Sequence, residues 1–208
     1  MRRTVVSALV VVLCCTAVSA AAAAKKRPLQ HVTIFGDSVA AAFTWDPTAR
    51  LVLARGDRLT FALSPCGRLV QPGCLTPPPP SVLKEVELLG RSVGPTAVVL
   101  VGYNDDPHVY AAGIDRVLTA MQRRGVEHVI WLTLRAVNGQ YRLINEAIHG
   151  ASARYRSMTV LDWNTYSRDK PRWFATDGIH LSALGGVQLA VFIHRALKQL
   201  GLTGPIHA

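Results

Sequence analysis

Four short stretches of this 208-residue chain hold residue types that could act on one another: "FGDSV" at 35–39, "CGRL" at 66–69, "VGYND" at 101–105 and "DGIH" at 177–180. A serine hydroxyl is a weak nucleophile and needs a base to take its proton. His180 can be that base near neutral pH. Asp177, three residues before it, can hold the other ring nitrogen, fix the tautomer and stabilise the imidazolium as it forms. Attack by Ser38 on a carbonyl would create an oxyanion, which needs donors placed in advance. The Ser38 N–H at a helix start, where the dipole favours negative charge, is one. The Asn104 side-chain amide and the Gly67 N–H are the others. Each stretch also has a plainer reading: Asp and Ser cap helices, and Gly and Asn make turns.

Such residues meet only if the fold gathers them. Apolar, β-rich runs occur at 31–35, 97–101, 128–133 and 158–161, with a weaker one at 58–63. Continuous apolar runs suit strands covered on both faces, as in a parallel sheet. Helical periodicity lies between them over 81–89, 107–124, 139–155 and 182–199. Strands alternating with helices predict a doubly wound α/β sandwich with helices on both faces. Ligands of such sheets bind beyond the carboxyl ends of the strands. Ser38 follows the first strand, Gly67 the second, Asn104 the third and Arg135 the fourth. The loop with Asp177 and His180 follows the fifth, so all fall on one rim.

In this order the stretches resemble the SGNH hydrolases, also called GDSL-type lipases and acylhydrolases. "FGDSV", "CGRL", "VGYND" and "DGIH" stand where that family has its four blocks, over nearly all of the chain after residue 24. The resemblance implies a three-layer αβα sandwich with strand order 2-1-3-4-5. It also implies a serine hydrolase acting on esters, with Ser38, His180 and Asp177 as triad, and Ser38, Gly67 and Asn104 around the oxyanion. No metal or organic cofactor is implied. Hydrolase and O-acyltransferase are not separable at this level, and a non-catalytic module that binds the cell envelope on the same fold stays open.

The rest of the sequence bounds the setting. Residues 1–24 read as a secretory signal, with Arg2 and Arg3 before an apolar stretch from Val5 to Val18 and small residues after it. That leaves 25–208 as one domain, with no stable membrane span after processing, in a secreted or otherwise extracytoplasmic setting. Of four cysteines, Cys66 and Cys74 lie outside the signal and close a short loop, so export predicts a disulfide between them. Net charge is +10, falling to +8 without Arg2 and Arg3. The basic residues are scattered, without an aromatic-studded stripe. Nucleic acid therefore ranks below an anionic cell-envelope polymer as a partner, and a merely solvated basic surface below neither. The substrate class is a small-molecule, glycan or lipid ester, short acyl groups such as acetyl being favoured. Oligomeric state is unknown.

Other residues carry competing readings. "GRSVG" at 90–94 has the spelling of a nucleophile elbow, but it follows a helix and precedes a strand, the reverse of what an elbow needs. "SVLK" at 81–84 lacks the companion motifs of Ser-x-x-Lys enzymes, and Ser81 suits an N-cap. Arg135 is a candidate to hold a carboxylate or phosphate of the substrate, or to form a structural ion pair. His108 is a candidate pocket wall. Asp105 and Asp106 are expected to cap the next helix, with one of them bracing the oxyanion loop. Trp163 and Trp173 are expected to pack.

Overall fold

A computed structural model describes residues 29–204; residues 1–24, expected to be a secretory signal, lie outside the described residues. Five parallel strands form one sheet in the order β2-β1-β3-β4-β5. They are β1 (Gln30–Gly36), β2 (Asp57–Leu63), β3 (Thr96–Leu100), β4 (His128–Leu132) and β5 (Met158–Leu161). Each lies within a residue or two of the expected apolar runs. The order is the one implied by the resemblance, and β1 pairs in register with β2 and β3, Gly36 standing beside Leu63 and Leu100.

Alternation within the strands divides the core. Phe35, Val99, Val129 and Trp131 face α3 (Val82–Leu89), α4 (Pro107–Arg123) and α5 (Gly139–Ser152). Val32, Ile34, Val98, Leu100, Ile130 and Leu132 face α1 (Ala42–Trp45), α2 (Pro47–Leu53), α6 (Trp163–Ser167) and α7 (Ala183–Gln199). β3 is buried along its whole length, as a strand covered on both sides must be. Side chains set the helix starts that matter for the rim: Asp106 accepts from His108 N, Asn138 from Tyr141 N, and Ser182 from Gly185 N. α2 carries its own signal, Asp46 accepting from Thr48 N and Ala49 N with Pro47 at the first position. That Asp-Pro pair went unread in the sequence, and so did the one-turn α1.

Two differences bear on the site. The helix expected to begin at Ser38 is instead a run of turns through Ala41, followed by the four-residue α1. A long helix dipole therefore does not back the Ser38 N–H. The helix expected over 139–155 ends at Ser152. Among the described residues, no helix is long and apolar enough to cross a membrane.

Candidate active site

The loop after β5 turns back on itself. Phe174 bridges Leu181, and Ala175 N donates to His180 O at 2.7 Å. The turn between them is held by Asp177, whose Oδ1 accepts from Ile179 N at 2.8 Å and His180 N at 3.0 Å. The other oxygen, Oδ2, lies 2.6 Å from His180 Nδ1. His180 Nε2 lies 2.9 Å from Ser38 Oγ, 142 residues away in the chain. The hydrogen bond from His180, followed by those from the backbone N–H groups, holds the Asp177 carboxyl down to about 2. An ionised Asp177 makes Nδ1 the protonated nitrogen and leaves the Nε2 lone pair facing the serine. Asp177 and His180 are both about half exposed, so the arrangement opens on solvent.

Glycines let the flanking elements close up. A Cβ on Gly36 would strike Ala40 and lie 2.9 Å from Leu63 Cδ2. A Cβ on Gly185 would strike the Trp173 carbonyl, so α7 rests directly on the turn Pro171–Trp173 that leads into the His180 loop.

The second group of residues is built differently. Gly67 N donates to Ser64 O at 2.7 Å, closing a turn in which Cys66 has φ +58°. The expected oxyanion donor at Gly67 is therefore already engaged within its own loop. Asn104 Nδ2 donates to Gly67 O at 3.2 Å, which uses one of its two hydrogens and leaves the other. The loop is clipped by the Cys66–Cys74 disulfide, whose Cα atoms are 5.5 Å apart. It is tied from below by Asp105, whose two oxygens accept from Leu69 N at 3.0 and 3.2 Å. Asp106, by contrast, caps α4. Burial raises Asp105 to about 6.

Asp37 joins the first and third stretches, a role that its reading as a helix cap missed. It is fully buried, accepting from Val39 N with Oδ1, and from Gly102 N (3.2 Å) and Tyr103 N (3.3 Å) with Oδ2. Burial raises its carboxyl to about 6, against the pull of these three donors. The clue was available in the sequence: an acid between Gly36 and Ser38 in an otherwise apolar strand exit must find buried donors.

No family model matches the chain. A search of solved structures finds the C-terminal catalytic domain of peptidoglycan O-acetyltransferase A from Streptococcus pneumoniae at 18% identity, covering 87% of this chain and 99% of that one, with a TM-score of 0.63. TesA matches at 16% identity, 82% and 99% coverage and a TM-score of 0.65. The esterase EstA from Pseudoalteromonas sp. matches at 12% identity, 82% and 98% coverage and a TM-score of 0.64. The chain shares its fold with these three proteins. Among curated sequences, a putative peptidoglycan O-acetyltransferase of Bacillus subtilis, YrhL, is 22% identical over 104 residues, which are 50% of this chain and 16% of that one. The match thus spans about a sixth of that relative's length.

On this rim the remaining candidates separate. Arg135 lies three residues beyond the end of β4 with its guanidinium 3.9 Å from the centre of the Phe174 ring, against the His180 loop. No carboxylate pairs with it among the described residues. His108 is exposed on the first turn of α4. The groove beside Asn104 is lined instead by Arg68, Gln71, Asp105, Asp106, Pro107 and Gln140, so the pocket-wall reading of His108 is not what the geometry gives. Ser92 lies in the turn Gly90–Val93 before β3, at the opposite end of the sheet from Ser38. Ser81 is the N-cap of α3, accepting from Lys84 N. Trp163 is fully buried and stacks on Trp173 at 5.7 Å, as packing residues do. Among the described residues, no group of three or more His, Cys, Asp or Glu side chains gathers as metal ligands.

Proposed function

We propose that the chain is an exported serine esterase in which Ser38 is the nucleophile, His180 the base and Asp177 the residue that orients His180. The observation that carries this reading is the continuous line from Ser38 Oγ through both ring nitrogens of His180 to Asp177 Oδ2, at 2.9 and 2.6 Å. Nε2 takes the hydroxyl proton as Ser38 attacks the ester carbonyl. The oxyanion is met by the Ser38 N–H and the free hydrogen of Asn104 Nδ2, and by the Gly67 N–H once its bond to Ser64 O opens. His180 then protonates the departing alcohol, leaving an acyl-enzyme. Water deprotonated by His180 releases the acid and restores Ser38. Residues 1–24 serve as export signal and 25–208 as one domain. No step needs a metal or an organic cofactor.

An envelope glycan carrying O-acetyl groups is the substrate we favour, since relatives named as peptidoglycan O-acetyltransferases are found by both sequence and fold. The same relatives favour a second reading, O-acyltransfer, in which a sugar hydroxyl takes the place of water. The test is labelling of the purified chain with a fluorophosphonate, beside Ser38→Ala and Ser92→Ala. Labelling lost in Ser38→Ala alone is expected; labelling that survives there removes Ser38 as nucleophile. Product analysis on an acetyl ester, with and without an added acceptor alcohol, then separates release of acetate from transfer.

A further inference from the structure

Arg135 is held with unusual care for a residue that meets no carboxylate among the described residues. Leu134, just before it, gives and takes hydrogen bonds with the buried side chain of Asn145, both at 2.7 Å. Arg135 N donates to Tyr103 Oη at 2.8 Å, and Ala136 N to Asn164 Oδ1 at 2.9 Å. The backbone at this point is therefore pinned to α5, to the loop after β3 and to α6. Phe174 then supports the guanidinium from one face at 3.9 Å, a distance at which a cation gains from the ring.

Against this fixed background the head group lacks partners. Nη1 is buried with no hydrogen-bond partner, and no acid lies within ion-pair distance among the described residues. A buried donor on a cation is costly to leave unmet. The side chain lines an open pocket of about 360 Å³ with Pro171, Phe174, Ala175, Thr176 and Gly178, the loop that carries Asp177 and His180. A planar fork of donors, backed by an aromatic ring and lining a pocket, matches a carboxylate.

We infer that Arg135 binds a carboxylate of the substrate, so that the preferred ester carries a negative charge on its acyl or its alcohol portion. This rests on the esterase reading for its kinetic test but not for its binding test. Two matched pairs of esters distinguish the two portions: para-nitrophenyl hydrogen succinate against para-nitrophenyl methyl succinate for the acyl side, and para-acetoxybenzoate against its methyl ester for the alcohol side.

For each pair, the anionic-to-neutral ratio of kcat/KM is measured in the wild type and in Arg135→Gln. Division of one ratio by the other cancels intrinsic reactivity. A drop of about tenfold or more in one pair is expected, the size of a lost charge-assisted hydrogen bond, and the pair affected names the portion. Arg135→Lys keeps the charge without the fork and retains part of the preference. A purely structural Arg135, acting on the His180 loop through Phe174, lowers anionic and neutral esters alike; an unchanged ratio in both pairs overturns the inference. Calorimetric titration of the same four esters into Ser38→Ala and Ser38→Ala/Arg135→Gln needs no turnover. There, tighter binding of an anionic ester that disappears with Arg135 supports the site even if Ser38 never labels. Equal or absent binding in both overturns it, whatever the fate of the esterase reading.

Discussion

Two halves of one rim are built on opposite plans. The His180 loop is local and open: Asp177 closes its own turn with two backbone bonds, holds His180 three residues on, and stays about half exposed. Beyond its own turn it meets the rest of the fold at Ser38, 2.9 Å away, and where the Arg135 guanidinium lies over Phe174. The Gly67 loop is held from every side, by a disulfide, by Asp105 on Leu69 N and by Asn104 on Gly67 O, and its own N–H is taken by Ser64. In the proposed mechanism one half stands ready to move a proton, whereas the other has its donors turned inward and must exchange a bond with Ser64 for one with the oxyanion. A short hydrogen-bonded turn can preset a relay; a donor set needs its backbone turned outward as well as fixed.

The largest effect should come from breaking the open half. Asp177→Asn keeps the size of the side chain but loses the charge that sets the His180 tautomer, and kcat is expected to fall by about 10²–10⁴. Because Asp177 is held down to about 2, it stays ionised well into acid. A loss of activity between pH 4 and 7 in the wild type must then come from another group. If Asp177→Asn costs less than tenfold on an acetyl ester, the relay does not run through Asp177.

Breaking the closed half should cost less, because its donors are several and already shared. Asn104→Ala removes both the remaining donor and the support of Gly67 O. A fall in kcat of about 10²–10³ is expected, with KM little changed, as for other single oxyanion donors. A fall in binding with kcat intact would place Asn104 in substrate contact and not at the oxyanion. Cys74→Ser tests the clip itself. Freeing the short loop is expected to lower unfolding stability by about 2–3 kcal/mol. It should lower kcat by roughly tenfold through the looser Gly67 turn, read by denaturant titration and steady-state kinetics. Unchanged kcat in Cys74→Ser would mean that the loop works equally well unclipped.

The contrast also explains what the sequence disclosed. The strands were legible because β1, β3 and β4 are largely apolar, β-rich runs separated by helical periodicity, while their order was implied only by the resemblance. Asp177 and His180 are legible as a pair because an Asp-x-x-His turn makes its contacts within three residues, whereas Ser38 meets His180 from 142 residues away. Three features needed either an uncommon backbone conformation or long-range contacts that no local pattern encodes. The engagement of Gly67 N with Ser64 depends on Cys66 at φ +58°, an uncommon conformation for a residue other than glycine. Asp37 looked like a cap because its partners, Gly102 and Tyr103, are more than sixty residues away. Asp105 and Asp106 are adjacent and alike in type, and only the fold turns one to Leu69 and the other to α4.

Asp37 joins the Ser38 turn to the loop after β3, Asp105 joins that loop to the Gly67 loop, and their titration gives the smallest but sharpest test. Each has its carboxyl raised by burial from 3.8 to about 6. Between these values the folded chain holds more protons than the unfolded one, so their contribution to stability falls as pH rises from about 4 to 6. His31 and His194, lowered by burial, act in the opposite sense nearer the usual histidine value, so wild type and variant must be compared at each pH. Asp105→Asn keeps an acceptor for Leu69 N and never ionises. Its stability relative to the wild type should improve by about 1–2 kcal/mol between pH 4 and 7. Asp37→Asn should flatten the slope as well but lose stability throughout, because one end of its amide must face the N–H groups of Val39 or of Gly102 and Tyr103. Thermal midpoints measured across that pH range decide the matter. Parallel curves for the wild type and both variants would mean that neither acid changes its proton affinity on folding, and that the join is held by hydrogen bonds alone.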